Sequence, residues 1–146
     1  HLSQATYQRT QGKNVEKNVF LEAYQALHDS GNIRFFFVQH DGEIQSAAAI
    51  VMSPKRAVYW KGATKSKEIT GASNFLHWEI MKLLKKEGLF LYDLSGGPTH
   101  YEKGSKVEGI IRFKHRFGGE IHTCYGGGCI FCSWKNILFD LYKKML

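Results

Sequence analysis

The sequence predicts a mixed α/β (α+β) fold, a mostly antiparallel sheet flanked by helices in the order α-β-β-β-α-β-α-β-β-α. Three observations predict it. Apolar residues recur at helical spacing in separate stretches of the chain. Three β-rich runs, divided by Asp41-Gly42 and by Pro54, follow the first helical stretch. A helix stopped by Gly88 leads straight into the apolar run 89–95, so that strand lies parallel to a neighbour, whereas the three runs before it form an antiparallel meander.

Taken in order, residues 1–14 are polar and irregular. From Val15, the positions Val19, Phe20, Ala23, Tyr24 and Leu27 share one helical face, with Asn14 as N-cap and Gly31 as stop. The stretch "NIRFFFVQHDGEIQSAAAIVMS" (32–53) is a hairpin about Asp41-Gly42, a pair suited to a type I′ turn. Pro54 closes its second strand and "RAVYWKGAT" (56–64) is the third. After the polar loop "KSKEITGAS", Ser73 caps a helix from Asn74 to Glu87, whose inner stripe is Leu76, Ile80, Leu83 and Leu84. His77 and Trp78 read as core-packed residues of that helix, and Glu79 as a partner for a basic neighbour. "LFLYDLS" (89–95) is a strand buried on both faces. A loop of turn residues spans 96–106, a short helix 107–117, and "GEIHTCYGG" and "GCIFCS" are two more strands. A terminal helix capped by Ser133 carries Trp134, Ile137, Leu138, Leu141, Tyr142 and Met145 on one face.

At 146 residues the chain is long enough for one domain that buries about two-thirds of its unfolded surface. No apolar run approaches the ~20 residues of a membrane-spanning helix, and no secretion signal is visible. The chain starts at His1, which fits a piece of a longer protein. Its net charge of +7 favours anionic partners: nucleic acid, phosphates, nucleotide sugars or lipid headgroups. The three cysteines, Cys124-x4-Cys129-x2-Cys132, have a metal-like spacing but lack a fourth ligand. His122 shares a strand face with Cys124, so no metal is expected and reduced, half-buried cysteines of a cytoplasmic protein are. There is no GxSxG elbow, no Walker loop and no base beside a cysteine, so nucleophilic catalysis and nucleotide hydrolysis are unsupported.

The chemically pointed stretch is "VEGIIRFKHRFGGE" (107–120). Phe113 and Phe117, four apart, would anchor a short helix, with Lys114 and Arg116 aimed outward at a rim. Lys114 also reads as a solvated helix residue beside two core aromatics. Asp93, at the end of the inner strand, either orients a substrate amine or Lys114, or caps the next turn through backbone N–H groups. Gly96 and Gly97 allow a tight turn. Thr99, His100 and Tyr101 lie on the loop overhanging this place, and His100 has the intrinsic pKa of a proton shuttle. Lys65, Lys67, Lys85 and Lys86 add to the positive field.

The ordered set "NFLHWEIMKLLKKEG", "YDLSGG" and "FKHRFGGE" resembles the C-terminal module of the Fem-type (FemABX) peptidoglycan aminoacyltransferases, over about 120 residues from Thr10. The resemblance implies a GNAT-like domain over 1–146, the C-terminal half of a longer two-domain transferase. It also implies transfer of an aminoacyl group from aminoacyl-tRNA to an amine of a peptidoglycan precursor, nucleotide- or lipid-linked, in the cytoplasm, with no cofactor. An N-terminal GNAT-like domain or a homodimer would complete the unit, and peripheral membrane contact is compatible with it. Lys114 then matches the lysine of the family's F-K-x-x-F-G and is the catalytic candidate, meeting the RNA end or the acyl carbonyl. Phe113, Arg116, Asp93, Thr99, His100 and Tyr101 are substrate-binding candidates. Two other readings stand beside this one: an acyl-CoA-dependent N-acyltransferase, and a non-catalytic GNAT-like support module. Against a CoA site, the loop entering the main helix lacks Q/R-x-x-G-x-G/A and retains only Gly71 and Ala72.

Overall fold

The computed structural model describes residues 17–65, 67 and 69–125. Helix α1 (Lys17–Leu27) is followed by β1 (Ile33–His40), β2 (Glu43–Met52), β3 (Arg56–Thr64), α2 (Ala72–Lys86), β4 (Leu91–Asp93) and α3 (Lys106–His115). The strands form one sheet in the order β1-β2-β3-β4, antiparallel except for β3 and β4. This is the expected mixed, mostly antiparallel sheet flanked by helices.

The meander follows from its turn chemistry. Asp41 and Gly42 both take positive φ, 49° and 77°, as a type I′ turn requires. At Pro54 the chain reverses with Ser53 N donating to Arg56 O at 2.8 Å. Two bulges interrupt the ladders. Gln45 of β2 is skipped where Val38 pairs with Ser46 and Gln39 with Ile44. Trp60 of β3 is skipped where Ala49 pairs with Lys61 and Ile50 with Tyr59. The second bulge changes which side of the sheet β3 presents, so Tyr59 and Gly62 face the same way. A Cβ at Gly62 would overlap the Tyr59 hydroxyl.

The core lies between the sheet and α2. Ala48, Ile50 and Ala57 meet Leu76, Ile80 and Leu84, with Phe36, Val38, Met52, Tyr59, Leu89 and Tyr92 packed around them. On the other sheet face α1 rests its rings on Trp60 (Phe20, 5.4 Å) and Phe35 (Tyr24, 6.1 Å), with no fully buried residue of its own. The start of this helix and its Asn14 cap lie outside the described residues.

Several expectations are corrected. The N-cap of α2 is Gly71, in the left-handed region at φ 88°, not Ser73; the Ser73 hydroxyl instead meets the buried Ser46 hydroxyl at 3.0 Å. Leu83 is 41% exposed and Trp78 56%, while His77 is only 2% exposed. The inner face of α2 is rotated toward His77 because α3 supplies aromatic rings there. Strand β4 is shorter than 89–95 and is not buried on both faces: Phe90 is 89% exposed, and β4 is the sheet edge among the described residues. Residues 119–125 form no strand, and Cys124 is exposed rather than half-buried. The rest of that segment, Cys129, Cys132 and the Ser133-capped helix lie outside the described residues.

Candidate functional site

The parallel pairing of β3 with β4 lasts three residues, Arg56 with Leu91, Ala57 with Tyr92 and Val58 with Asp93. Strand β3 then continues to Thr64 against β2, with no strand on its other side among the described residues, so the sheet opens at the carboxyl end of β4. In open sheets with parallel strands, this is where ligands sit. The bulge at Trp60 lies on the same opening.

Asp93 stands at its apex. One carboxylate oxygen accepts from Arg56 Nη2 and the other from Ser95 N at 2.6 Å, an Asx turn. Burial alone would push this carboxyl up. The hydrogen bonds from Arg56 and Ser95, with the positive charges of Arg56 and Lys114, outweigh it and hold Asp93 below the usual carboxylate range. Ser95 itself takes a left-handed conformation, φ 62°, uncommon for a residue with a side chain. That strain is offset by three bonds: its N–H to Asp93, its hydroxyl donating to Tyr59 O at 2.5 Å, and its carbonyl accepting from Lys114.

Lys114 reaches this turn from α3. Its ammonium donates to Ser95 O at 3.0 Å and to Gly96 O at 2.8 Å. An ammonium has three N–H groups, so one is left without a protein acceptor among the described residues. Burial lowers the Lys114 pKa below the ordinary lysine value, and the Asp93 charge opposes part of that shift.

The helix carrying Lys114 begins with a box of the S-x-x-E type. Ser105 Oγ accepts from Glu108 N at 3.2 Å, and Glu108 accepts from Gly104 N at 2.5 Å and from Arg112 at 3.0 Å. The helix leans on the loop after β4, where a Cβ at Gly97 would run into Ile111 Cδ1. Its other contacts are aromatic. Phe113 and Phe117 meet each other edge-on at 5.2 Å, and both meet the ring of His77 on α2, at 5.5 and 5.9 Å. Phe113 is therefore engaged by packing. His77 Nδ1 lies 2.7 Å from the Tyr92 hydroxyl. Burial lowers the His77 pKa to about 4 and pushes the Tyr92 hydroxyl well above its usual value, with the Tyr59 charge adding to the latter.

Of the residues the sequence singles out, the structure brings Asp93, Lys114 and Gly96 together, with Phe113 directly behind. Arg116 is exposed at the C-terminal end of α3, with no ion-pair partner among the described residues. Thr99, His100 and Tyr101 are exposed on the loop, and no hydrogen bond or ion pair joins them to Lys114. Glu79 pairs with Lys82 at 2.5 Å and Lys65 with Glu43, and neither pair includes Asp93 or Lys114. Sequence reasoning misses Arg56, Ser95, His77 and Tyr92 as site components. Ser95 carries a local signal, the Asp-x-Ser spacing of an Asx turn. The other three depend on contacts between distant elements.

Comparison with known proteins gives the family. An acetyltransferase (GNAT) domain family matches residues 1–103, a span that stops short of α3. No curated protein matches. Among solved structures, FemX superposes with a TM-score of 0.68 at 16% identity, over 77% of this chain and 45% of FemX. A transcriptional regulator from Bacillus halodurans gives 0.61 at 16% identity, over 89% and 88%. The PaiA N-acetyltransferase from Thermoplasma acidophilum, in complex with coenzyme A, gives 0.57 at 13% identity, over 86% and 83%. At such identities these likenesses establish the fold, and this chain spans less than half the length of FemX. The chain belongs to the acetyltransferase (GNAT) domain family.

Proposed function

We propose that this domain transfers an aminoacyl group from aminoacyl-tRNA to an amine of a peptidoglycan precursor. The observation carrying this reading is the Lys114 ammonium, held at the opening of the sheet by two backbone carbonyls and left with one N–H that has no acceptor among the described residues. The likeness to FemX and the net charge of +7 support it. In aminolysis of an ester, the neutral amine attacks the acyl carbonyl, negative charge gathers on its oxygen, and the departing 3′-hydroxyl of the RNA takes a proton. The spare N–H of Lys114 donates to that oxygen. Its two carbonyl bonds fix the charge beforehand, so little reorganisation is needed as the reaction proceeds. Asp93 holds the loop that carries those carbonyls. Arg116 and the basic surface meet the RNA phosphates, and the loop of Thr99, His100 and Tyr101 faces the acceptor. Because the chain covers 45% of FemX, a preceding GNAT-like domain, or a second copy, supplies the remaining part of the acceptor site in this reading.

A second reading, transfer from an acyl-CoA to an amine, draws on the likeness to PaiA in complex with coenzyme A. The two differ in the donor. A thermal-shift series separates them: stabilisation by coenzyme A favours the second, whereas salt-sensitive binding of a tRNA acceptor stem favours the first.

A further inference from the structure

We propose that His77 is a positioning residue: from beneath α3 it sets where the Lys114 ammonium stands at the end of β4. The inference rests on reading Lys114 as the cation of the site. His77 is 2% exposed, and its ring touches every element that frames the opening. Ring centroids lie 4.4 Å from Tyr59 on β3, 6.0 Å from Tyr92 on β4, and 5.5 and 5.9 Å from Phe113 and Phe117 on α3. All four contacts are edge-on. Phe113 and Phe117 are the residue before Lys114 and the residue one turn after it, so α3 is seated on His77 through the two side chains that flank the lysine.

The polar half of the contact fixes the other wall. His77 Nδ1 and the Tyr92 hydroxyl share a hydrogen bond at 2.7 Å, whichever of the two carries the proton. Tyr92 is the neighbour of Asp93, whose carboxylate orders the turn that presents the Ser95 and Gly96 carbonyls. One side chain thus ties α2 to the strand bearing the acceptors and to the helix bearing the donor. A leucine would fill the same volume without the bond to β4.

A second proton would charge this buried ring, and no carboxylate is in contact with it among the described residues to balance the charge. The titratable groups facing it are the Tyr59 and Tyr92 hydroxyls, and α3 presents only phenyl rings. The nearest charges in sequence, Asp93 and Lys114, follow Tyr92 and Phe113 and are bonded elsewhere. The seat of α3 therefore weakens as His77 takes up a proton.

The test needs no substrate. Lysines are labelled with acetic anhydride, and the rate at Lys114 is read by mass spectrometry against Lys103, an exposed lysine in the same molecule. The expected result is slow labelling of Lys114 in the wild type. Tyr92→Phe, which removes only the hydroxyl, raises it about fivefold relative to Lys103, the size of one lost hydrogen bond. His77→Ala raises it roughly tenfold or more. Amide exchange over residues 33–64 stays unchanged in the Tyr92→Phe protein, and the same rise appears in the wild type as pH falls toward 4. An unchanged ratio in Tyr92→Phe, or a rise only where residues 33–64 lose protection too, overturns the proposal. Labelling measures no catalysis, so the outcome is independent of whether Lys114→Ala abolishes transfer.

Discussion

The meander with α2, and β4 with α3, are held together in different ways. In the first region ladders of eight and seven residue pairs and an aliphatic layer of Ile50, Leu76, Ile80 and Leu84 set the geometry, and the stabilisation is spread over many contacts. In the second a three-residue ladder, one strained serine, one ammonium on two carbonyls and a histidine among four aromatic rings do so. The difference teaches where this domain is tolerant. The aliphatic layer accepts volume-conserving change, whereas the opening depends on single groups whose loss leaves a partner unsatisfied.

The comparison can be broken at several points. The largest effect on stability is expected from Ile80→Ala, about 2–5 kcal/mol by denaturant titration, because the void it leaves cannot collapse between α2 and the sheet. Next comes pH. The unfolded chain protonates His77 near its ordinary value of 6.5 and the folded chain near 4, so between them the unfolded state binds more protons. Stability is full above that window, falls by about 3 kcal/mol as pH drops through it, and stops falling from this source below it. The lowered carboxyl of Asp93 acts later, its contribution being lost only as pH falls below the ordinary aspartate range. His77→Phe should flatten the histidine window and leave the acid limb. Denaturation midpoints measured from pH 7 to 4 check this, and an unchanged slope in that variant would contradict it.

Smaller effects sharpen the contrast. Gly97→Ala forces Ile111 aside and should cost ~1–3 kcal/mol, read as faster amide exchange over α3 with the meander protected. Glu87→Gln breaks the pair in which Arg34 meets both carboxylate oxygens, at 2.8 and 2.6 Å. Half-exposed as it is, that pair should be worth only about 0.2–1 kcal/mol in a double-mutant cycle with Arg34→Met.

Much of the first region is legible in the sequence, because its signals are local: alternating apolar residues, Asp41-Gly42, Pro54 and the stop at Gly88. The parallel return into β4 is legible from connectivity alone. Less visible is which face of α2 turns inward. Trp78 and Leu83 have the apolar character of core residues yet lie partly exposed, whereas His77, read as core-packed, is sealed by rings that converge on it from β3, β4 and α3. A polar side chain with a distant hydroxyl partner has no signature in its own neighbourhood. The same holds for Arg56, which reaches Asp93 only through the parallel register. By contrast, the box opening α3 is written in Ser105-x-x-Glu108. The closeness of Lys114 to the Asp93 turn is foreshadowed by the apolar anchors around it, although the carbonyls that hold it are not.

The most direct test of the account replaces the ammonium itself. Lys114→Ala, in the longest form of the protein that transfers, should keep the meander folded, read as unchanged amide exchange over residues 33–64, and lose roughly 10²–10³ in transfer rate, the size of losing one preorganised donor to a developing oxyanion. Turnover within a few fold of the parent, by a variant that folds normally, would contradict the claim that the cation at the end of β4 carries the chemistry.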